Sequence, residues 1–351
     1  MKKETMYTTL YRKYRPRDFS EILGDQAVVK SLEAAIRTKK VGHAYLFSGS
    51  RGTGKTSVAR IFARELGVTD KDLYEIDAAS QTGIDNIREL REGVLGMPFE
   101  SPYKFYILDE AHMLSRNAWN AFLKTLEEPP AHVIFVLATT ELDRVPDTIQ
   151  SRCELYSFKQ PTREILAQIV SDVSKYEGYS LERSAAELVA LLAEGSFRDA
   201  LSILQKVLTV SKDKKIDVAE VEVVTGAPRG EIVRQLLSGI AKKDAGVAIK
   251  AIRDAVEGNM EARTLAKLLI HRLRVVLLMR YAPDLADVLG KELSEADVAL
   301  AREISKEPGI NSDTLRIILE AHSTMAYAAV PHLPLELAVI DICTKREEAR
   351  K

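Results

Sequence analysis

The chain has 351 residues, 46 % hydrophobic and 29 % charged, enough for cores in two or three domains of a soluble globular protein. It holds no run of about 18 apolar residues, its polar start MKKETMYTTLYRKYRPRDF lacks a signal-peptide core, and its two cysteines are too few for a disulfide framework or a four-cysteine zinc site, so a cytoplasmic protein with no membrane partner is expected. Formal net charge is −1, yet the first 60 residues carry 13 Lys and Arg against 5 Asp and Glu, which suits a polyanion partner or a plain solvated surface equally.

Five short apolar runs, AYLFSG (44–49), LYEID (73–77), KFYILDE (104–110), HVIFVLATT (132–140) and ELYSF (154–158), alternate with helix-like stretches of about 10 to 20 residues. This order predicts a parallel sheet covered by helices. From Pro161 onward no strand is predicted, and apolar residues recur at helical spacing. The polar stretch 211–230 reads as a second boundary, giving expected domains at 1–159, 160–226 and 227–351. The expected fold class is therefore α/β followed by all-α.

GSRGTGKT (49–56) fits G-x-x-x-x-G-K-[ST] between a strand and the helix KTSVARIFARELG, the context that this motif requires. A chance match in a chain this long has a probability of roughly one in a hundred. The loop, Gly49, Ser50, Arg51, Gly52, Thr53 and Gly54, can aim backbone N–H groups at phosphate oxygens, with Ser57 in the first helical turn. Lys55 is expected to reach the β- and γ-phosphates of ATP, and Thr56 to offer its hydroxyl to Mg²⁺. In FYILDEAHML (105–114), Asp109 is the second expected Mg²⁺ partner and Glu110 the group that polarises the attacking water. Together the two motifs predict an ATPase. A helicase reading of the letters DEAH fails, because such enzymes need a second α/β domain and the remainder here reads as helical. His112 is then a structural residue at a helix start. Trp119 and the Met and Leu stripe around 264–279 read as core.

YRKYRPRDFSEILGDQ (11–26), the phosphate loop, EIDAASQTGIDNIREL (75–90), LDEAHMLSRNAWNAFLKTLEEPP (108–130), LATTELDRVPDTIQSRC (137–153), EGSFRDALSIL (194–204) and LPLELAVIDI (333–342) together span nearly the whole chain. In these stretches the sequence resembles the clamp-loader ATPases of the AAA+ class, specifically the gamma/tau subunit family of bacterial DNA polymerase III. The resemblance implies an AAA+ P-loop domain, a small helical lid and a C-terminal helical collar that joins subunits. It implies ATP-driven loading of a sliding clamp onto primer-template DNA, with delta-like and delta-prime-like subunits and further copies of the chain as partners. A non-catalytic delta-prime-like subunit and a general AAA+ remodelling or recombination factor are the rival readings.

By the same resemblance, Thr140 matches the sensor 1 hydroxyl, Arg198 the sensor 2 arginine, and Arg152 of the S-R-C motif a finger reaching the neighbouring subunit's ATP; a strand-end β-branched residue, a solvated charge and a salt bridge with a nearby carboxylate are the respective alternatives. Arg15, Leu23 and Tyr11 match the wall of the nucleotide pocket, with ordinary packing as the alternative for Leu23 and Tyr11. Arg88 and Lys124 match helices that track a phosphate backbone, joined by Gln81 and Thr82; solvated side chains are the alternative. Cys153 reads as a buried, inert thiol. One departure stands out: the family usually carries a four-cysteine zinc module before EIDAAS, and ARELGVTDKDLYEID has no cysteine, so zinc is not carried over. The tether of tau-like forms is also missing, which implies gamma-like behaviour.

Overall fold

Each of the five apolar runs becomes a strand, and all five pair in parallel. The computed structural model describes residues 8–80, 84–211, 213–258, 260–284, 295–307 and 309–344, without the side chains at 84–86, 88 and 295. The strands are β1 (Ala44–Ser48), β2 (Leu73–Asp77), β3 (Lys104–Asp109), β4 (Val133–Thr139) and β5 (Glu154–Ser157). Their order across the sheet is β2-β3-β4-β1-β5.

Alternation along the strands divides the core into two layers. Tyr45, Phe47, Phe105, Ile107, Ile134 and Val136 face helices α2 (Gln26–Thr38) and α3 (Lys55–Glu65), which contribute Leu32, Val58, Ile61 and Phe62. Leu46, Tyr106, Leu108, Phe135 and Leu137 face α4 (Ile84–Leu95) and α5 (Arg116–Glu127), with Ile87, Trp119, Phe122 and Leu126. The central strands are apolar on both faces because helices cover both. Burying each large apolar side chain stabilises the layer by roughly 1.5 to 3 kcal/mol. A short helix α1 (Leu10–Lys13) precedes this domain, and α6 (Asp147–Gln150) lies between β4 and β5.

Helix α7 (Arg163–Tyr176) leaves the sheet, followed by α8 (Arg183–Leu192), α9 (Phe197–Val210) and α10 (Val218–Thr225). Two corrections to the sequence reading arise here. Strands β6 (Ser180–Leu181) and β7 (Lys215–Ile216) pair in parallel after Pro161, where none was predicted. Two residues are too few to show periodicity. The stretch 211–230 also contains β7 and α10, whose start is capped by Asp217 accepting from the Glu220 N–H at 2.9 Å.

The remaining helices are α11 (Gly230–Lys242), α12 (Ala245–Glu257), α13 (Ala262–Tyr281), α14 (Glu295–Ile304), α15 (Ser312–Thr324) and α16 (Leu333–Thr344). They share one apolar core that includes Leu236, Ile240, Ile252, Leu265, Leu269, Leu273, Val276, Ile318 and Val339. The stripe at 264–279 is thus core. By internal contacts the chain forms two units, residues 1–169 with 193–205 and residues 170–192 with 206–351, and their border runs through α7 and α9. The first part of α9 belongs with the sheet. Among the described residues, no helix is long and apolar enough to cross a membrane.

Candidate nucleotide-binding site

Strand β1 ends at Ser48, and residues 49–54 turn the chain into α3. The turn needs glycine: Gly52 and Gly54 have φ of 74° and 102°, a region other residues enter only with strain. Gly54 is the N-cap of α3, so the first N–H groups of that helix open onto the loop. At Gly52, a Cβ would also collide with the Ser196 side chain. This is a cradle of backbone donors that fits phosphate.

Lys55, only 5 % exposed, donates from Nζ to the carbonyls of Gly49 (2.7 Å) and Ser50 (2.9 Å). Burial lowers its pKa, while Glu110 and Asp109 raise it and Arg198 lowers it further. An ammonium folded over the loop in this way marks where an anion would sit. Thr53 Oγ1 closes the loop by donating to Ser50 O at 2.9 Å. Ser57 Oγ accepts from Arg15 Nε at 3.0 Å, and Arg51 is exposed. Thr56 Oγ1 donates to Asp109 Oδ2 at 2.9 Å. Hydroxyl and carboxylate oxygens are the donors that Mg²⁺ prefers, completed by phosphate and water, so the pair fits that ion. Among the described residues, no group of three or more His, Cys, Asp or Glu side chains is arranged to hold a metal ion by itself.

Glu110 follows Asp109 in a left-handed backbone conformation with φ of 48°. Its Oε2 accepts from Thr140 Oγ1 at 3.0 Å, so the two residues are in direct contact; Thr140 lies one position past β4. His112 is in a 3-10 turn, Ala111–Met113, instead of an α-helix start.

Arg198 is exposed in the first turn of α9, with its Cζ 5.6 Å from the Tyr11 ring centroid, a cation–π contact. The same helix start meets the phosphate loop: the Phe197 N–H donates to Gly52 O at 3.0 Å, and Ser196 Oγ caps the helix by accepting from the Asp199 N–H. Burial lowers the Arg15 pKa and nearby Arg60 lowers it further, opposed by Glu75 and Asp109. Arg60 and Glu75 form an ion pair. Leu23 is 42 % exposed. Residues 11, 15, 55–57, 109–110, 140 and 198 therefore belong to the same unit.

Sequence reasoning did not foresee Gln160, whose Nε2 donates to Ser50 Oγ at 3.0 Å, or Ser196 against Gly52. Gln160 belongs to no quoted motif, and Ser196 lies in EGSFRDALSIL without a spacing that points to Gly52; only contacts over more than 100 residues reveal them.

Arg152 points elsewhere. It is exposed and donates to Glu127 Oε1 (2.7 Å) and Thr148 O (2.8 Å). Cys153 is half-buried against the α4/α5 layer, and burial pushes its thiol pKa up to about 12. Lys124 is exposed in the last turn of α5. Gln81 and Thr82 lie outside the described residues; Arg88 is in α4, but its side chain is also outside them.

Residues 24–73 and 67–162 match the family model described as DNA polymerase III, delta subunit. The DNA polymerase III subunit tau of Bacillus subtilis is 36 % identical over 359 residues, 96 % of this chain and 63 % of that protein. The subunit gamma/tau of Mycoplasma pneumoniae is 40 % identical over 237 residues, 62 % of this chain and 35 % of that protein. The chain thus spans less than two thirds of these relatives. Among solved structures, the Thermotoga maritima RuvB Holliday junction branch migration motor superposes with a TM-score of 0.52 at 23 % identity, covering 65 % of this chain and 79 % of that one. That likeness is one of fold, of the AAA+ type. In sequence the chain is thus similar over nearly its whole length to a DNA polymerase III subunit tau, and over a shorter stretch to a gamma/tau subunit.

Proposed function

We propose that this chain is an ATP-hydrolysing subunit of a bacterial clamp loader, which places a sliding clamp on primer-template DNA during replication in the cytoplasm. The observation that carries the reading is the Thr56–Asp109 pair beside the Lys55 loop, at the carboxyl ends of β1 and β3, an arrangement that suits phosphate and a cation. These residues speak against the non-catalytic, delta-prime-like reading.

Each residue then has a task. The loop 49–54 and the α3 N-terminus hold phosphate through backbone N–H groups, and Lys55 neutralises its charge. Thr56 and Asp109 would hold Mg²⁺, which when bound would offset the negative charge of the phosphates. Glu110 orients and polarises the attacking water, and Thr140 offers a hydroxyl to the γ-phosphate. Arg198 couples the nucleotide to α9, and Tyr11, Arg15 and Leu23 form the pocket wall. Arg152 serves the neighbouring subunit's ATP, where an arginine in trans is worth about 10³ to 10⁵ in rate.

Residues 160–226 would act as the lid and 227–351 as the collar joining delta-like and delta-prime-like subunits and further copies of this chain. Leu95, Met97 and Phe99, each at least 74 % exposed, offer an apolar surface suited to a protein partner such as the clamp. Gln81, Thr82, Arg88 and Lys124 would contact DNA phosphates without reading bases.

The test is ATP hydrolysis by the assembled loader with clamp and primed DNA. Stimulation by both together is expected; an intact complex that binds ATP and shows no stimulation would contradict the proposal.

A further inference from the structure

His112 sits at the centre of polar contacts that the nucleotide reading leaves unused. Its side chain is 6 % exposed. Nδ1 lies 3.1 Å from Thr139 Oγ1 and 3.5 Å from Glu110 Oε2, and Nε2 lies 3.4 Å from Glu141 Oε1. Thr139 is fully buried, and its Oγ1 accepts the backbone N–H of Glu141 at 3.0 Å. Between them, Thr140 donates to Glu110.

Nε2 faces the Glu141 carboxylate, while Nδ1 meets the Thr139 hydroxyl beside the Glu110 carboxylate, and the Thr139 oxygen in turn accepts the Glu141 amide. One imidazole thereby joins the turn after β3 to the tripeptide that ends β4. Packing alone does not call for histidine here, since an apolar side chain of similar size would fill the space. What an apolar residue lacks is the pair of nitrogens on opposite ring edges. Glu110, at φ of 48°, keeps its strained backbone only where its surroundings over-determine it.

We propose that His112 is a positioning residue for ATP hydrolysis: it locks residues 139–141 onto the turn after β3, so that the Thr140 hydroxyl and the Glu110 carboxylate meet in fixed geometry. The proposal rests on the ATPase reading with Glu110 as the group that polarises water. In this role His112 acts through its neighbours Thr139 and Glu110.

The test uses the full chain, alone and in the assembled loader, with His112→Leu, His112→Gln and Thr139→Val. Without nucleotide, His112→Leu should speed hydrogen exchange at the Glu141 amide by about tenfold or more. In the loader it should lower kcat by about tenfold or more and leave KM for ATP within about twofold. His112→Gln, which keeps a donor and an acceptor, should recover most of the rate. Thr139→Val should lower kcat like His112→Leu, and the double variant should be no worse than either, because both break one link. A His112→Leu kcat within about twofold of the parent, or additive losses in the double variant, overturns the proposal. If His112→Leu does not fold, an unchanged kcat in Thr139→Val overturns it equally. A parent loader without ATPase activity instead sinks the ATPase reading, and unchanged exchange at Glu141 then still refutes the lock.

Discussion

The hydroxyl of Thr56 and the carboxylate of Asp109, 53 positions apart, are joined by a 2.9 Å hydrogen bond between the first turn of α3 and the end of β3. The bond keeps two oxygens side by side, of the kind that would hold Mg²⁺. Asp109→Asn is expected to lower ATP hydrolysis on the order of 100-fold while nucleotide still binds without magnesium, since the amide keeps the shape and loses the charge. Titration with a fluorescent ATP analogue, with and without Mg²⁺, checks the binding; Lys55→Ala should remove it in both conditions.

Arg198 stacks on Tyr11 beside the phosphate loop, so its charge lies near the site. Arg198→Ala should weaken ATP binding about tenfold, equivalent to about 1.4 kcal/mol. Arg198→Lys should fall between, because an ammonium keeps the charge and loses the planar stacking. Equal affinity in all three proteins, measured by calorimetry, would remove Arg198 from the site.

Arg152 spends its hydrogen bonds on Glu127 and Thr148, away from its own chain's phosphate loop. Arg152→Ala should therefore spare ATP binding by the isolated chain and abolish DNA-stimulated hydrolysis in the loader. Loss of binding by the isolated chain would place the residue in cis. Glu127→Ala should cost less than about 1 kcal/mol of stability, because the ion pair is solvent-exposed.

Asp72 is fully buried and accepts the backbone N–H groups of Phe99, Glu100 and Ser101. Burial alone would raise its pKa, but these bonds and the Ser101 hydroxyl outweigh it and hold the carboxyl at about 2. An unfolded aspartate titrates near 3.9. The folded pKa is the lower one, so the stabilisation is complete above about pH 5 and fades as pH falls toward 2. Asp72→Asn should cost about 1 to 3 kcal/mol at pH 7 and flatten the acid limb of the stability curve, as read by urea melts from pH 7 to 3.

Cys153 should resist thiol reagents. With its pKa pushed up to about 12 by burial, almost none of it is thiolate at pH 8, and thiolate is the reactive form. Modification by a disulfide reagent should be slow in the native chain and fast in urea; rapid native labelling mapped to Cys153 by mass spectrometry would refute this.

The sheet and the phosphate loop were legible because their signals are local. Val133–Thr139 is buried on both faces and apolar up to its last residue, and such a run between helix patterns permits little else. Gly52 and Gly54 mark their own backbone path. The two-residue strands β6 and β7 were illegible for the opposite reason: their pairing is made between residues 35 positions apart, and neither segment has length enough to show a period.

The sequence by itself determined which groups could bind phosphate and cation, since Lys55, Thr56 and Asp109 sit at fixed offsets from a strand and a helix start. Only the tertiary structure decided which distant groups join them. Gln160 reaches Ser50, Ser196 lies against Gly52, Arg198 stacks on Tyr11 and Thr140 meets Glu110. The reason lies in the parallel sheet: every crossover returns the chain in the same direction, so the carboxyl ends of β1, β3 and β4 collect on one edge. Residues far apart in sequence converge there, and no spacing along the chain records it.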